Sequence, residues 1–241
     1  MPTAGILVIG NEILSGKVVD TNSPYLCERL RGLGVDVDRI VTIPDEIETI
    51  ASEVKAMSER YTYVFTSGGI GPTHDDLTIE GVAAAFGRTV EINEELEGML
   101  RSVIRDDLSE SQLKMAKVPA GATLIESTDK WFPLVVVDNV YIFPGIPEGL
   151  HRKFESASDR FNGTPYVLKQ VYVKRTETDI VDTLNDLLEA FPDLVLGSYP
   201  KIRESSYKVL LTLESRDEDY VQRALDQLLA DLTESAIHKV E

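Results

Sequence analysis

The sequence holds a single cysteine, Cys27, so no disulfide can form within it, and the Cys-rich scaffolds of small secreted domains are excluded. Its first residues, Met1-Pro2-Thr3-Ala4-Gly5, offer neither the basic stretch nor the apolar core of a secretory leader, so a cytoplasmic location is expected. No apolar run approaches the roughly 20 residues that span a bilayer; the longest are strand-sized, such as Leu134 to Val137. The three histidines, His74, His151 and His238, lie far apart and offer no zinc-type spacing. Cations are also scarce, with 24 Lys+Arg against 41 Asp+Glu and a net charge of −17. Such a balance repels nucleic acid and anionic lipid at long range, so no nucleic-acid or membrane partner is expected. It also means that a phosphate ligand needs a cradle of backbone donors or a metal ion. An acidic excess spread along the chain is equally an ordinary solvated surface.

What is present reads as alternating strands and helices. Gly5 to Ile9 is a continuous apolar run, as in a strand buried on both faces of a parallel sheet. Thr21-Asn22-Ser23 offers caps for a helix with Pro24 at its first position and Tyr25, Leu26, Leu30 and Leu33 as its apolar stripe. A strand through Val35–Ile43, a helix over Glu46–Met57 and a strand at Tyr63–Thr66 complete a βαβαβ rhythm, which argues for a mostly parallel sheet with helices on both faces. Two amphipathic helices follow, the second capped by Asn93, and Leu134–Val137 and Val140–Phe143 form a hairpin around Asp138-Asn139. Asn162-Gly163-Thr164-Pro165 has linker composition. It divides residues 1–165 from a small α+β unit, 166–241, with the order strand, helix, strand, strand, helix. That unit carries nine basic and fifteen acidic residues, which argues against RNA binding.

Three stretches carry candidate chemistry. Ser67-Gly68-Gly69-Ile70-Gly71-Pro72-Thr73-His74-Asp75-Asp76 joins a buried strand to a helix through three glycines. Glycines admit close backbone approach, successive N–H groups make a nest, and the helix N-terminus adds positive potential, which together suit a phosphate or pyrophosphate. The alternative is a tight connector in which Asp75 and Asp76 merely cap the helix. Carboxylates beside a phosphate nest repel the ligand unless a divalent cation lies between them, with Asp75, Asp76 and Glu12 as its candidate ligands. The second stretch, Gly10-Asn11-Glu12 to Asn22, leaves the first strand toward the same crevice. There Glu12 and Asp20 are candidate ligands or bases, Ser15 and Asn22 candidate phosphate donors, and Lys17 a counter-charge; capping and turn roles are the alternatives. The third, Phe143-Pro144-Gly145-Ile146-Pro147, can form a further wall of the pocket, and Trp131, Phe132 and Pro133 can offer a flat surface for a ring. No nucleophile elbow is present around Ser67.

Gly10-Asn11-Glu12, Ser15-Gly16, Asp20-Thr21-Asn22 and Ser67 to Thr78 together resemble the molybdopterin-binding-like superfamily, which includes MoaB, MogA and the CinA amino-terminal domain. The Gly-Pro-Thr-His-Asp-Asp form, Asn139 to Glu148 and Gly197-Ser198-Tyr199-Pro200 most resemble the corresponding domain of eukaryotic-type FAD synthase. The resemblance implies a three-layer α/β domain followed by a small KH-like domain, a homo-oligomer (dimer or trimer), and a site at the glycine loop with Asp20 and Asp76 as its acidic residues. It implies two activities. One is metal-dependent hydrolysis of ADP-ribose or FAD-type pyrophosphates, with Mg²⁺, Mn²⁺ or Co²⁺ and K⁺ in support, catalytic Asp76, Asp20 and Glu12, and Ser67, Gly68, Gly69, Gly71, Thr73, His74, Ser15, Asn22 and Gly145 around the phosphates. The other is molybdopterin binding or adenylylation. A non-catalytic binding module is the alternative outside enzymes. Asp129-Lys130-Trp131-Phe132-Pro133 departs from the turn common in CinA, and a chain ending at Glu241 is expected to lack the amidohydrolase domain of CinA and the adenylyltransferase domain of FAD synthase.

Overall fold

The computed structural model describes residues 1–104, 107–126, 132–201 and 206–241. The chain divides into two units, Met1–Gly163 and Thr164–Glu241. In the first, the order is β1 (Thr3–Ile9), α1 (Asn11–Leu14), α2 (Asn22–Gly32), β2 (Asp36–Ile43), α3 (Ile47–Arg60), β3 (Tyr63–Ser67), α4 (Thr78–Ala85) and β4 (Val90–Ile92). It continues with α5 (Glu94–Val103), α6 (Glu110–Lys114), β5 (Lys117–Pro119), β6 (Thr123–Ile125), β7 (Leu134–Val137), β8 (Val140–Phe143) and α7 (Pro147–Ala157).

The main sheet runs β2-β1-β3-β8-β7-β6. Strand β1 pairs in parallel on both sides, with β2 and β3, and helices cover both of its faces. A strand so placed meets no water, which is why its sequence is uniformly apolar rather than alternating. β8 runs parallel to β3, whereas β7 and β6 are antiparallel additions at one edge. The β7–β8 turn puts Asp138 at φ 52°, a conformation that a short aspartate tolerates. The sheet is thus parallel over four strands and antiparallel at the far edge.

Two cores flank this sheet. On one face Ile6, Val8, Phe65 and Phe143 pack on Leu26 and Leu30 of α2 and Leu150 and Phe154 of α7. On the other, Leu7, Ile9 and Ile142 meet Ile50, Val54 and Met57 of α3, Val82 of α4, and Leu96 and Leu100 of α5. The fold is the expected three-layer α/β arrangement. Pro24 is the third residue of α2 rather than the first, because the Asp20 carboxylate accepts the Asn22 and Ser23 N–H groups and starts the helix earlier.

The second unit contains β9 (Val167–Val173), α8 (Glu177–Ala190), β10 (Val195–Pro200), β11 (Val209–Ser215), α9 (Glu218–Asp231) and β12 (Ile237–Val240). Its antiparallel sheet, β10-β11-β9-β12, buries Val171, Leu211 and Leu213 against Leu184, Leu187, Val221 and Leu228 of the two helices. Strand β12 extends the expected order by one. Among the described residues no helix is long and apolar enough to cross a membrane.

Candidate functional site

Val8 pairs with Ser67, and Ser67 with Phe143, so β1, β3 and β8 end level and their following loops converge. From β1 the chain passes to α2 on one face, and from the adjacent β3 it passes to α4 on the other. Strand ends whose connections diverge in this way leave a crevice between them. A cavity of about 670 Å³ occupies that position, with Val8, Ile9, Val135 and Ile142 among its lining residues.

The glycine loop is shaped by contacts that no other residue tolerates. Gly68 has φ +106°, and a Cβ there would lie 2.2 Å from the Ile9 carbonyl oxygen; at Gly69, φ +66°, it would lie 2.3 Å from Thr78 Oγ1. Thr78 in turn donates its hydroxyl to Gly68 O at 2.8 Å and its N–H to Gly69 O, tying the loop to the start of α4. Asn22, 6% exposed, joins all three loops: its Nδ2 donates to Ser67 Oγ (2.9 Å) and to Gly145 O (2.8 Å). Its buried Oδ1 has no hydrogen-bond partner among the described residues.

Acidic groups gather along the same crevice. Asp20 Oδ1 accepts the N–H groups of Asn22 and Ser23, each at 3.0 Å. Asp76 Oδ2 accepts the Thr73 N–H at 2.8 Å, and the Thr73 hydroxyl lies 2.5 Å from it and 2.6 Å from Asp75 Oδ1. That hydroxyl, with lesser help from the charges of His74 and Lys114, holds Asp75 below the usual carboxylate range. Asp45 accepts the Asn11 N–H at 2.8 Å. Burial pushes Asp45 above the usual range, and the charges of Glu12, Asp75 and Asp76 push in the same direction, so these carboxylates share one neighbourhood. No hydrogen bond among the described residues holds the exposed Glu12 carboxylate.

Among the described residues no group of three or more His, Cys, Asp or Glu is placed to hold a metal ion by itself. Of the three candidate ligands, Glu12 and Asp76 line the crevice, as does Asp20, whereas Asp75 does not; a cation there would have to complete its shell with water or ligand oxygens.

Basic residues line the crevice as well: Lys114, Lys117, Arg152 and Lys153. Lys153 is buried, and its ammonium donates to Phe132 O and, at 2.8 Å, to Pro133 O. Lys114 Nζ donates to Thr73 O at 2.7 Å. Val18, Val19 and Ile146 are exposed apolar members of the lining.

Residues 5–161, more than half of the chain, match the family described as the probable molybdopterin binding domain. The chain belongs to this family. Residues 165–241 match the FAD synthase middle domain. A protein of Archaeoglobus fulgidus is 36% identical over 222 residues, covering 92% of this chain and 94% of that one. The probable FAD synthase of Caenorhabditis elegans is 33% identical over 254 residues, covering 94% of this chain and 49% of the synthase, so the chain spans about half the length of that relative. Among solved structures, CinA of Thermoplasma acidophilum, a protein of unknown function, is 31% identical with a TM-score of 0.62, covering 66% of this chain and 98% of that one. The molybdopterin-binding-like family indicated by the motifs is therefore established for this chain, and the likeness to FAD synthase is found in residues 165–241 and in the nematode relative.

Within this family member, the fold brings together most of the residues singled out in the sequence. Glu12, Asp20, Asn22, Ser67, Gly68, Gly69, Gly71, Asp76 and Gly145 line the crevice, as do Phe132 and Pro133. Thr73 and Asp75 are not among the lining residues; both are exposed and hydrogen-bonded to one another. His74 projects away with its side chain 97% exposed, and Ser15 Oγ donates at 3.3 Å to Glu12 O, closing α1 rather than facing the cavity. Asp129, Lys130 and Trp131 lie outside the described residues. The basic residues and Asp45 escape a reading of the sequence. Lys153 left a signal, since Leu150, Lys153, Phe154 and Ala157 are the buried residues of α7 at i, i+3, i+4 and i+7. A lysine within an apolar stripe asks for a partner.

Proposed function

We propose that this chain binds a nucleotide pyrophosphate of the ADP-ribose or FAD type in the crevice and hydrolyses it with the help of a divalent cation, releasing AMP. The observation that carries this reading is the glycine loop at Gly68 and Gly69, shaped by contacts only glycine tolerates, in one crevice with Glu12, Asp20 and Asp76. A backbone nest of this kind takes phosphate oxygens, and the FAD synthase name of the nematode relative supports a dinucleotide.

In this proposal the loop N–H groups and the start of α4 orient the pyrophosphate. Asp20 and Asp76, each fixed by backbone donors, would share a divalent cation with it, and such an ion neutralises charge on the phosphoryl oxygens. Glu12, unconstrained by hydrogen bonds, takes a proton from the attacking water. The water oxygen bonds to one phosphorus as the bond from that phosphorus to the bridging oxygen breaks, and the bridging oxygen leaves with the other phosphate.

The test is AMP release from ADP-ribose and from FAD with Mg²⁺, Mn²⁺ or Co²⁺ and K⁺, run beside an Asp76→Asn variant. Release by the wild type that disappears in the variant is expected; release at equal rates from both would sink the assignment. The family description favours a second reading, molybdopterin binding, which predicts pterin affinity with no AMP formed.

A further inference from the structure

The chain as a whole is strongly acidic, yet the crevice gathers four cationic side chains beside three carboxylates. Two of the cations, Lys114 and Lys117, come from α6 and β5, an excursion some 40 residues beyond the glycine loop in the chain. Lys114 reaches back across that interval to place its ammonium 2.7 Å from the carbonyl of Thr73, at the end of the loop. Stability alone is a weak reason for this contact, because both partners sit in a solvent-accessible setting where such an interaction contributes little. An ammonium has three N–H donors, and Thr73 takes one of them. The remaining two lie at the Thr73 end of the loop proposed above to hold a phosphate. Lys117 also lines the crevice, and its ammonium makes no hydrogen bond among the described residues, so it adds positive potential without being tied to the loop. A nest of backbone N–H groups has room for the oxygens of one phosphate, and a pyrophosphate brings a second.

We propose that Lys114, backed by Lys117, forms the second half of the phosphate site and takes the phosphate that the glycine loop does not, so that the crevice selects diphosphates over monophosphates. This rests on the nucleotide-pyrophosphate reading above, and deepens it by naming the specificity-determining residue.

Calorimetric titration with two probes tests the assignment: AMP, and α,β-methylene-ADP, whose bridging carbon resists hydrolysis. The wild type should bind the diphosphate analogue more tightly than AMP. Lys114→Met should lose about tenfold in affinity for the analogue, the size of one lost charge-assisted hydrogen bond, while keeping its AMP affinity within about twofold. Lys114→Arg should retain the preference, and Lys117→Met, which leaves the loop contact intact, should weaken the analogue selectively. Equal losses for both probes in Lys114→Met would mean that the lysine only anchors Thr73, and unchanged binding of both would mean that it contacts no ligand; either result overturns the proposal while leaving the nucleotide reading in place. A wild-type protein that binds neither probe overturns both.

Discussion

Asn22 holds three segments far apart in the chain to one geometry, because one amide group supplies both bonds, to Ser67 Oγ and to Gly145 O. Replacing it by leucine, of similar branching but without polar atoms, leaves the buried Ser67 hydroxyl and the part-buried Gly145 carbonyl without their donor. Asn22→Leu should lower the unfolding free energy by about 1–3 kcal/mol, read as a shift in the urea midpoint; an unchanged midpoint would show that the three loops are held by other contacts. Gly68 presents the opposite constraint, since it is the absence of a side chain that matters. In Gly68→Ala the new methyl meets the Ile9 carbonyl at 2.2 Å in a backbone conformation foreign to alanine, a strain of about 1–3 kcal/mol. The loop must shift to relieve it. Under the proposed hydrolysis, a displaced loop should reduce AMP release about a hundredfold, measured by chromatography, with a lower thermal midpoint; wild-type turnover in Gly68→Ala would remove the loop from the proposed mechanism. Residues of this kind are legible in the sequence because their chemistry is local. Three glycines after an apolar strand already indicate a loop that needs unusual φ, and aspartates just before a helix already indicate bonded carboxylates. Lys114 is not legible in that way, because a lysine near the end of a short polar helix looks the same whether it faces water or a ligand.

Helices α2 and α7 illustrate how pairs of elements are fastened. Their apolar faces meet through Leu26, Leu30, Leu150 and Phe154, and outside this core Tyr25 stacks on His151 with ring centroids 3.6 Å apart. Glu155 accepts from the Tyr25 hydroxyl at 2.7 Å and from Arg29 at 2.8 Å. Burial pushes the Glu155 carboxyl up, but those two bonds outweigh it and hold it below the ordinary value of 4.5. A carboxylate depressed in the folded state stabilises above its unfolded value, and that contribution is lost as pH falls through the folded one. Glu155→Gln should therefore lower the thermal midpoint at pH 7, and the difference from wild type should shrink as the pH is taken below 4.5. A difference independent of pH would point to lost packing instead. The long elements, β1, α2, α3 and the two helices of the second unit, follow from hydrophobic period and caps. The short ones, α1, β4, β5, β6 and α6, span three to five residues each. Segments of that length are seen only when an unbroken apolar run and a turn mark them, as in the four-residue β7 and β8; these five lack that signal and depend on their neighbours in space.

Each of the two units has its own closed set of buried side chains. The fragment Met1–Gly163 should therefore fold without the second unit and unfold cooperatively, as judged by circular dichroism during heating; a gradual, featureless melt would show that its cores do not suffice. The strand-and-helix rhythm, the linker composition of Asn162-Gly163-Thr164-Pro165, the glycine loop and its carboxylates are properties of neighbouring residues, so they were already present in the linear chain. Which residues share the crevice is a different matter. Asn22 meets Gly145 across 123 positions, and Lys114 meets Thr73 across 41. Those encounters depend on β1 lying between β2 and β3 and on β8 joining beside β3, an order set by the packing of whole faces against one another. Local preference fixes φ, period and capping because each is settled within a few residues; the pairing of a lysine with a distant loop is settled by the free energy of the complete fold.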